Sequence, residues 1–227
     1  MSLMKKLLLF DIDGTLIRSG SGGINRFTGA IKNVHDIAVE ITKNYQGSTD
    51  RLIMTDLLQD KGWSDSQIQS SMPKLLAEIN HIHKTEFKAS DVQLFPGIVK
   101  LLKTLNEKDV EMGLITGNVI EVAIRKLEVA GIYSYFKVGG FGDDPHKRRA
   151  DLVSVAIAKA GFENKMEDVF VIGDTPLDIK AASEAGVKNS VGVVNGYRDA
   201  QELVDAGAKF VLEDFSDPDN VIELLGL

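Results

Sequence analysis

The stretch Lys6-Leu7-Leu8-Leu9-Phe10-Asp11-Ile12-Asp13-Gly14-Thr15-Leu16 decides the fold. Its apolar first half is the pattern of a strand buried on both faces, as in a parallel sheet covered by helices. The run ends in two aspartates, Asp11 and Asp13, and Gly14 then permits a sharp turn. Open α/β sheets bind ligands at the carboxyl ends of their strands, so the acid pair is predicted to border a binding crevice. Because neighbouring carboxylates repel each other, a hard cation such as Mg²⁺ is expected between them.

The composition is that of an ordinary globular chain with an acidic balance. The 227 residues are 44% hydrophobic and 26% charged, the net charge is −7, and cysteine is absent. The negative charge argues against nonspecific nucleic-acid binding, and the lack of cysteine excludes disulfides and thiolate metal sites. The first apolar run is too short to cross a membrane, and we recognise no signal peptide. We therefore expect a cytoplasmic protein with neither nucleic acid nor membrane as a partner.

Helical periodicity without strands runs from Arg18 to about Lys88. Four or so amphipathic helices are predicted there, one opened by the capping cluster Ser48-Thr49-Asp50 and another beginning near Pro73. Glycines at 20, 22 and 23 are expected to form a flexible connection in front of them. We predict a helical bundle at 18–90, inserted into an α/β core formed by 1–17 and 91–227, where it would cover the acid pair as a lid.

From residue 91 onward, strands alternate with helices. This alternation predicts right-handed βαβ units and a doubly wound, Rossmann-like, mostly parallel sheet. The strand Glu111–Ile115 runs into Thr116-Gly117-Asn118 at the start of a helix, where backbone N–H groups and a hydroxyl can hold a phosphate. A further apolar strand, Val169–Ile172, ends in Gly173-Asp174, and Asp178 follows one helical turn later. The alternative interpretation makes Asp174 an N-cap and Asp178 a partner of the helix dipole, but two acid-ended apolar strands in one chain favour a metal site.

These strings together resemble the signature motifs of the haloacid dehalogenase-like phosphohydrolases. Asp-Ile-Asp-Gly-Thr-Leu at 11–16 resembles the first motif, Thr116 after its strand the second, and Gly-Asp-Thr-Pro-Leu-Asp-Ile-Lys-Ala at 173–181 the fourth. The basic run 147–149 resembles the third motif but lacks the commonest form, lysine followed by Pro-x-Pro. Counting back from Asp151 points to Lys147, whereas the string Arg-Ala-Asp-Leu points to Arg149. We slightly favour Arg149 and keep both.

The resemblance implies a mechanism and a cofactor. Asp11 would be the nucleophile that forms an aspartyl-phosphate, and Asp13 would be the general acid and then the general base. It also implies that strand Leu7–Phe10 lies between the strands that end at Ile115 and Ile172. The remaining implied roles are phosphate binding by Thr116, Gly117 and Asn118, charge neutralisation by Lys147 or Arg149, and Mg²⁺ binding by Asp11, Asp13, Asp174 and Asp178.

The resemblance is to the phosphoglycolate phosphatase-like branch, so the expected function is magnesium-dependent hydrolysis of a small phosphorylated metabolite. Cap loops set specificity in this family, and Arg18, Asn25, Thr49 and Asp50 are predicted to contact the substrate. One alternative is a phosphomutase of the β-phosphoglucomutase type on the same scaffold. The other is a noncatalytic phosphate-binding or regulatory module, which would be expected to have lost the nucleophile or the acid.

Overall fold

The structure is a computed structural model that describes residues 5–20 and 24–227. Its strands are β1 Lys6–Phe10, β2 Ile17–Ser19, β3 Val92–Leu94, β4 Val110–Ile115, β5 Val138–Gly140, β6 Val169–Gly173, β7 Asn189–Val193 and β8 Phe210–Leu212. Six of them form one parallel sheet in the order β5-β4-β1-β6-β7-β8. The strand β1 therefore lies between β4 and β6, which confirms the predicted central position.

The helices are α1 Asn25–His35, α2 Asp50–Gln59, α3 Asp65–Glu86, α4 Ile98–Asn106, α5 Ile120–Val129, α6 Arg149–Ala160, α7 Pro176–Glu184, α8 Ala200–Asp205 and α9 Pro218–Leu225. Successive side chains of β1 point to opposite faces of the sheet. Leu8 and Phe10 pack in a core with α4, α5 and α9, and Leu7 and Leu9 pack in a core with α6 and α7. Helices thus cover both faces, which confirms the doubly wound α/β fold and explains why β1 is apolar throughout.

Helices α1 to α3 pack around a hydrophobic core of their own, which also includes Val122 of α5 and Val119, the N-cap residue of that helix. The prediction of a separate helix near Pro73 was wrong, because Pro73 lies inside the 22-residue helix α3. Ile68, Met72 and Ile79 continue one buried face across the proline. This packing outweighs the hydrogen bond that proline removes from the helix interior.

Two short strands that periodicity missed connect the helical insert to the sheet. β2 pairs antiparallel with β3, so the chain enters and leaves the insert side by side. Strands of three residues are too short to show a period of two, which is why they escaped the sequence analysis. The exact boundaries 18 and 90 stay a prediction, and the predicted Gly22-Gly23 connection lies outside the described residues. No helix within residues 5–20 or 24–227 is long and apolar enough to cross a membrane.

Candidate active site

Three buried carboxylates meet where β1 and β6 end. Asp11 follows β1, Asp174 follows β6, and Asp178 lies in the first turn of α7. One oxygen atom of each lies within 4.8 Å of the other two. The pairing of Phe10 with Ile172 places the two strand ends at the same level, which brings Asp11 and Asp174 together. The sheet register therefore assembles three of the four predicted metal-binding acids.

Asp178 serves both its helix and the acid cluster. Its Oδ2 accepts hydrogen bonds from the backbone N–H and the hydroxyl of Thr175, at 3.0 and 2.6 Å, in a capping box. Its Oδ1 instead accepts from Arg149. Gly173 lies so close that a Cβ atom there would be 2.4 Å from the side chain of Asp178. The N-cap of α7 is Thr175 and not Asp174. One oxygen of Asp178 thus belongs to the capping box, while the other belongs to the cluster.

Arg149 is the basic residue that reaches the acids. Its guanidinium donates to Oδ1 of Asp11 at 2.8 Å, to Oδ1 of Asp178 at 2.9 Å, and to the backbone oxygen of Gly47 at 2.9 Å. The Lys147 side chain is exposed, and its backbone N–H donates to Asp151 in front of α6. The structure thus brings Arg149 to the predicted site and leaves Lys147 outside it.

Burial makes the ionised forms of Asp11 and Asp174 less favourable. Burial raises the pKa of Asp11 well above its usual value, Asp178 raises it further, and Arg149 opposes both. Burial and Asp178 also raise the pKa of Asp174. Carboxylate oxygens are the ligands that a hard divalent cation prefers, and such an ion would relieve this repulsion. The donor set of Asp11, Asp174 and Asp178 therefore fits Mg²⁺.

Asp13 lines the same cavity but belongs to a separate set of hydrogen-bonded polar side chains. Lys126 Nζ donates to both of its oxygens, at 2.7 and 2.8 Å, Asn118 donates to Oδ2 at 2.6 Å, and Ser19 donates to Oδ1 at 2.5 Å. Burial alone would raise the pKa of Asp13. The positive charge and hydrogen bonds of Lys126, with those of Ser19 and Asn118, outweigh burial and hold this pKa well below its usual value.

Lys126 was missed by the sequence analysis. The residue is only 4% exposed and belongs to the buried face of α5, together with Val122, Ala123 and Leu127. A lysine at an apolar-face position needs a partner, because a buried unpaired ammonium is costly. That single interruption of the apolar face was the signal that could have identified it.

The turn after β4 holds the predicted phosphate-binding residues. The Thr116 hydroxyl accepts hydrogen bonds from the Asn118 backbone N–H at 3.2 Å and from its side chain at 2.8 Å. A Cβ atom on Gly117 would lie 2.3 Å from the backbone oxygen of Ser48, so the insert approaches this turn very closely. Thr116, Gly117 and Asn118 all line the cavity that contains Asp11 and Asp13.

Residues after β7 hold Asp174. Tyr197 donates its hydroxyl to Oδ2 of Asp174 at 2.9 Å, and Arg198 donates Nε to the same oxygen at 2.8 Å. Arg198 also donates to the Gln46 side chain of the insert at 2.7 Å. Arg198 was not identified in the sequence analysis. Its signal was a basic residue directly after a turn at the carboxyl edge of the sheet.

The cavity over these groups measures about 390 Å³ and lies between the sheet edge and the insert. Of the four predicted substrate contacts, Arg18 and Asp50 line it, whereas Asn25 is exposed and Thr49 caps α2. Asp50 accepts from Arg26 at 2.8 Å and from the backbone of Val119 at 3.1 Å, so it joins the insert to the core. The cavity is rich in basic side chains: Arg18, Arg26, Lys126, Arg149 and Arg198.

Comparisons with known proteins agree with this arrangement. A family model described as haloacid dehalogenase-like hydrolase matches residues 8–192. The chain is 24% identical over 215 residues to a phosphoglycolate phosphatase of Photorhabdus laumondii, which covers 93% of this chain and 90% of that protein. It is 26% identical over 186 residues to the pyrophosphatase PpaX of Halalkalibacterium halodurans, covering 81% of each chain.

The fold also matches a solved structure along nearly its whole length. The crystal structure of a β-phosphoglucomutase from Clostridium difficile has a TM-score of 0.69, 18% sequence identity and 98% coverage of both chains. At this identity the likeness concerns the fold alone. The family model, in contrast, spans well over half of the chain and includes the acids that follow β1 and β6. The protein is therefore an enzyme of the haloacid dehalogenase-like hydrolase family.

Proposed function

We propose that the protein is a magnesium-dependent phosphatase that hydrolyses a small phosphomonoester through an aspartyl-phosphate on Asp11. The observation that carries the proposal is the position of Asp11, buried beside Arg149 and two further acids at the floor of a cavity with basic walls. Phosphoryl transfer needs positioning and charge neutralisation above all. Relatives named phosphoglycolate phosphatase and pyrophosphatase support a small phosphorylated compound as the substrate.

In the first step Asp11 would attack phosphorus in line with the ester bond. Arg149 contacts Oδ1 of Asp11 and so holds the carboxylate in place. The new bond joins phosphorus to Asp11, the bond from phosphorus to the ester oxygen breaks, and Asp13 gives that oxygen a proton. The Thr116 turn would hold the phosphoryl oxygens. Bound at Asp11, Asp174 and Asp178, Mg²⁺ would supply positive charge for the phosphoryl oxygens.

In the second step water would hydrolyse the aspartyl-phosphate. Asp13 would take a proton from the attacking water, whose oxygen bonds to phosphorus while the bond to Asp11 breaks. Inorganic phosphate leaves, and Asp11 and Asp13 return to their starting forms. The helical insert, as a cap at 18–90 over a core of 1–17 and 91–227, would exclude bulk water during both steps and open for release.

The organic part of the substrate is not specified by these residues. Arg18 is the best-placed of the predicted specificity residues, since its guanidinium lies over the rings of Phe95 and Tyr197 at the cavity wall. A phosphoglycolate-like compound is our first candidate, and the cytoplasm our expected location. The second candidate function is a phosphomutase, which the fold match to a β-phosphoglucomutase favours. A noncatalytic module is disfavoured, because Asp11, Asp13, Asp174 and Asp178 are all present.

The test is phosphate release from a panel of phosphomonoesters with Mg²⁺: phosphoglycolate, sugar phosphates, nucleoside monophosphates and p-nitrophenyl phosphate, with pyrophosphate added. Wild type should release phosphate, EDTA should stop the release, and Asp11→Asn should abolish it. Asp199→Asn, at the N-cap of α8, is the matched control and should keep wild-type activity. Full activity of Asp11→Asn, or indifference to EDTA, would contradict the proposal. Isomerised sugar phosphates without phosphate release would instead identify a mutase.

A further inference from the structure

Arg18 is the one basic residue of the cavity wall that has no acidic partner among the described residues. Each of the other four forms an ion pair with an aspartate: Arg26 with Asp50, Lys126 with Asp13, Arg149 with Asp11, and Arg198 with Asp174. Residues 1–4 and 21–23, which lie outside the described ranges, contain no acidic side chain. The positive charge of Arg18 is therefore not neutralised by an ion pair within this chain.

Aromatic rings border the Arg18 side chain at the cavity wall. Its guanidinium lies 5.5 Å from the ring centroid of Phe95 and 5.6 Å from that of Tyr197, and the two rings are stacked on each other. Such contacts attract a cation to the face of a ring. An exposed arginine is usually only solvated, but the rings give this guanidinium a defined place. Its N–H groups, which donate to no other described residue, stay available to a ligand.

Arg18 also lies on the side of the cavity where the leaving group would depart. Ser19, its neighbour in β2, donates a hydrogen bond to Asp13, the residue proposed to protonate the leaving oxygen. Arg18 and Ser19 both line the cavity. A substrate whose phosphoryl group reaches Asp11 and whose ester oxygen reaches Asp13 would therefore have its alcohol part beside β2. This places the alcohol part within the range of a long arginine side chain.

We propose that Arg18 binds a second anionic group, a carboxylate or a phosphate, on the alcohol part of the substrate. An arginine matches both anions, because its planar fork donates two parallel hydrogen bonds to two oxygens. The preferred substrates are then phosphomonoesters with an acidic alcohol part, and compounds with a neutral alcohol part are poorer substrates. The inference rests on the proposed function and adds the residue that selects among small phosphomonoesters.

The experiment uses substrates that differ only in the second anionic group. Phosphoglycolate carries a carboxylate and ethylene glycol bisphosphate a second phosphate, whereas hydroxyethyl phosphate carries a hydroxyl in the same place. The readout is the ratio of kcat/KM for each acidic substrate to kcat/KM for hydroxyethyl phosphate, so a general effect of a substitution cancels. Wild type should prefer at least one acidic substrate about 10-fold or more, as for a hydrogen bond between charged groups. The preferred compound then identifies the anion.

Variants of Arg18 test whether this residue carries the preference. Arg18→Met keeps the apolar stem and removes the charge, so the ratio should fall to near one. Arg18→Lys keeps a charge without the planar fork and should recover part of the preference. Arg125→Met is the matched control, because it removes the same charge from a residue of α5 that does not line the cavity, and it should keep the wild-type ratio. Added salt should reduce the wild-type preference, since exposed charges are screened, whereas a merely structural role of Arg18 would not respond.

Two results would overturn the inference and leave the proposed function standing. One is phosphate release by wild type with no preference for either acidic substrate, and the other is a preference that Arg18→Met retains. If wild type releases phosphate from no compound, p-nitrophenyl phosphate included, the proposed function fails and this inference fails with it. Should Arg18→Met not fold, Arg18→Gln is measured in its place against the same expectation.

Discussion

Arg149 is the residue on which the charge balance of the candidate site depends. Its guanidinium is buried and forms ion pairs with Asp11 and Asp178 at once. Burial lowers the pKa of Arg149, but both carboxylates raise it and prevail, so the side chain stays charged. An arginine can contact two carboxylates and a backbone oxygen simultaneously because its donors are arranged as a planar fork.

The third-motif assignment is tested by Arg149→Met beside Lys147→Met. Loss of the buried guanidinium should lower kcat/KM about 100-fold or more, since it removes a charged group at the reacting phosphoryl group. Lys147→Met removes an equal charge from an exposed position and should leave kcat/KM within about twofold, as for surface substitutions without contacts. Steady-state kinetics measures both variants, and circular dichroism checks the fold. A severe loss in Lys147→Met with an active Arg149→Met would reverse the assignment.

Metal binding by the acid cluster can be measured without catalysis. Mg²⁺ at ten times its dissociation constant should stabilise the wild-type fold by about 1.4 kcal/mol, because the folded state alone offers the assembled site. Asp174→Asn should lose most of this stabilisation. The readout is the midpoint of thermal unfolding with Mg²⁺ and with EDTA. An equal rise of the unfolding midpoint with Mg²⁺ in wild type and Asp174→Asn would mean that Mg²⁺ binds elsewhere.

Some residues of the candidate site could be predicted from the sequence, and others could not. Asp11, Asp174 and Thr116 could be predicted because each follows an apolar strand, and parallel strands bring their carboxyl ends to one edge. Lys126 lies in the middle of a helix and Arg198 in a loop, and each meets its acid only through packing. The partners Asp13 and Asp174 are more than 20 residues away from them along the chain. A local sequence pattern cannot predict contacts between residues so far apart in the chain.

At the scale of elements, the loop between α1 and α2 connects the insert to the candidate site. The Asp50 N–H donates to the backbone oxygen of Gly117 at 2.8 Å, and the Thr49 hydroxyl contacts His146 at 2.6 Å. Arg149 and Arg198 bind Gly47 and Gln46 of the same loop. Arg149 and Arg198, which contact the acids, therefore also contact this loop of the insert.

Gly117→Ala tests this close approach. The added Cβ would lie 2.3 Å from the Ser48 oxygen and 2.8 Å from the Thr49 Cα, so the loop between α1 and α2 must move. We expect a loss of about 1–3 kcal/mol in unfolding free energy, as for other overpacked sites, and a marked fall in kcat. Gly29→Ala in α1 is the control, because its Cβ makes only an ordinary contact at 3.4 Å. A Gly117→Ala enzyme with wild-type kcat would show that the approach is dispensable.

Element types were easier to predict than element ends. The strands of the core and the helical character of the insert follow from periodicity, which long segments display clearly. Pro73 misled the prediction because the rule against internal proline is local, whereas the continuous buried face of α3 is a tertiary property. The β2–β3 pair forms between segments about 75 residues apart, so neither strand could be recognised by itself.

At the scale of the whole molecule, a buried histidine of the insert lies near charged groups of the insert and the core. His83 of α3 is buried, stacks on Phe87 with ring centroids 4.3 Å apart, and has no hydrogen-bond partner among the described residues. Burial lowers the pKa of His83 to about 4, and the nearby charges of Lys126 and Arg26 act in the same direction. The folded protein therefore keeps this histidine neutral.

Stability should consequently fall as the solution becomes more acidic. Between the unfolded pKa of about 6.5 and the folded value of about 4, the unfolded chain binds a proton at His83 that the folded chain does not. From pH 7.5 to 5.5 this difference removes up to about 1.4 kcal/mol from the unfolding free energy, less with solvent screening. Denaturant titrations of wild type and His83→Phe measure it, with the exposed His81→Gln as control. An unchanged pH dependence in His83→Phe would contradict the prediction.

The whole molecule brings the four motifs to one edge of one sheet, and the proposed function depends on Asp11 as the nucleophile there. The most direct measurement is to quench the enzyme during turnover with Mg²⁺ and substrate, and to locate the added phosphoryl group by peptide mass spectrometry. We predict a phosphorylated peptide that contains Asp11 and is labile to base, as an acyl phosphate should be. Asp11→Asn should give none. Turnover without a phosphorylated peptide, or phosphorylation that persists in Asp11→Asn, would contradict the proposed mechanism.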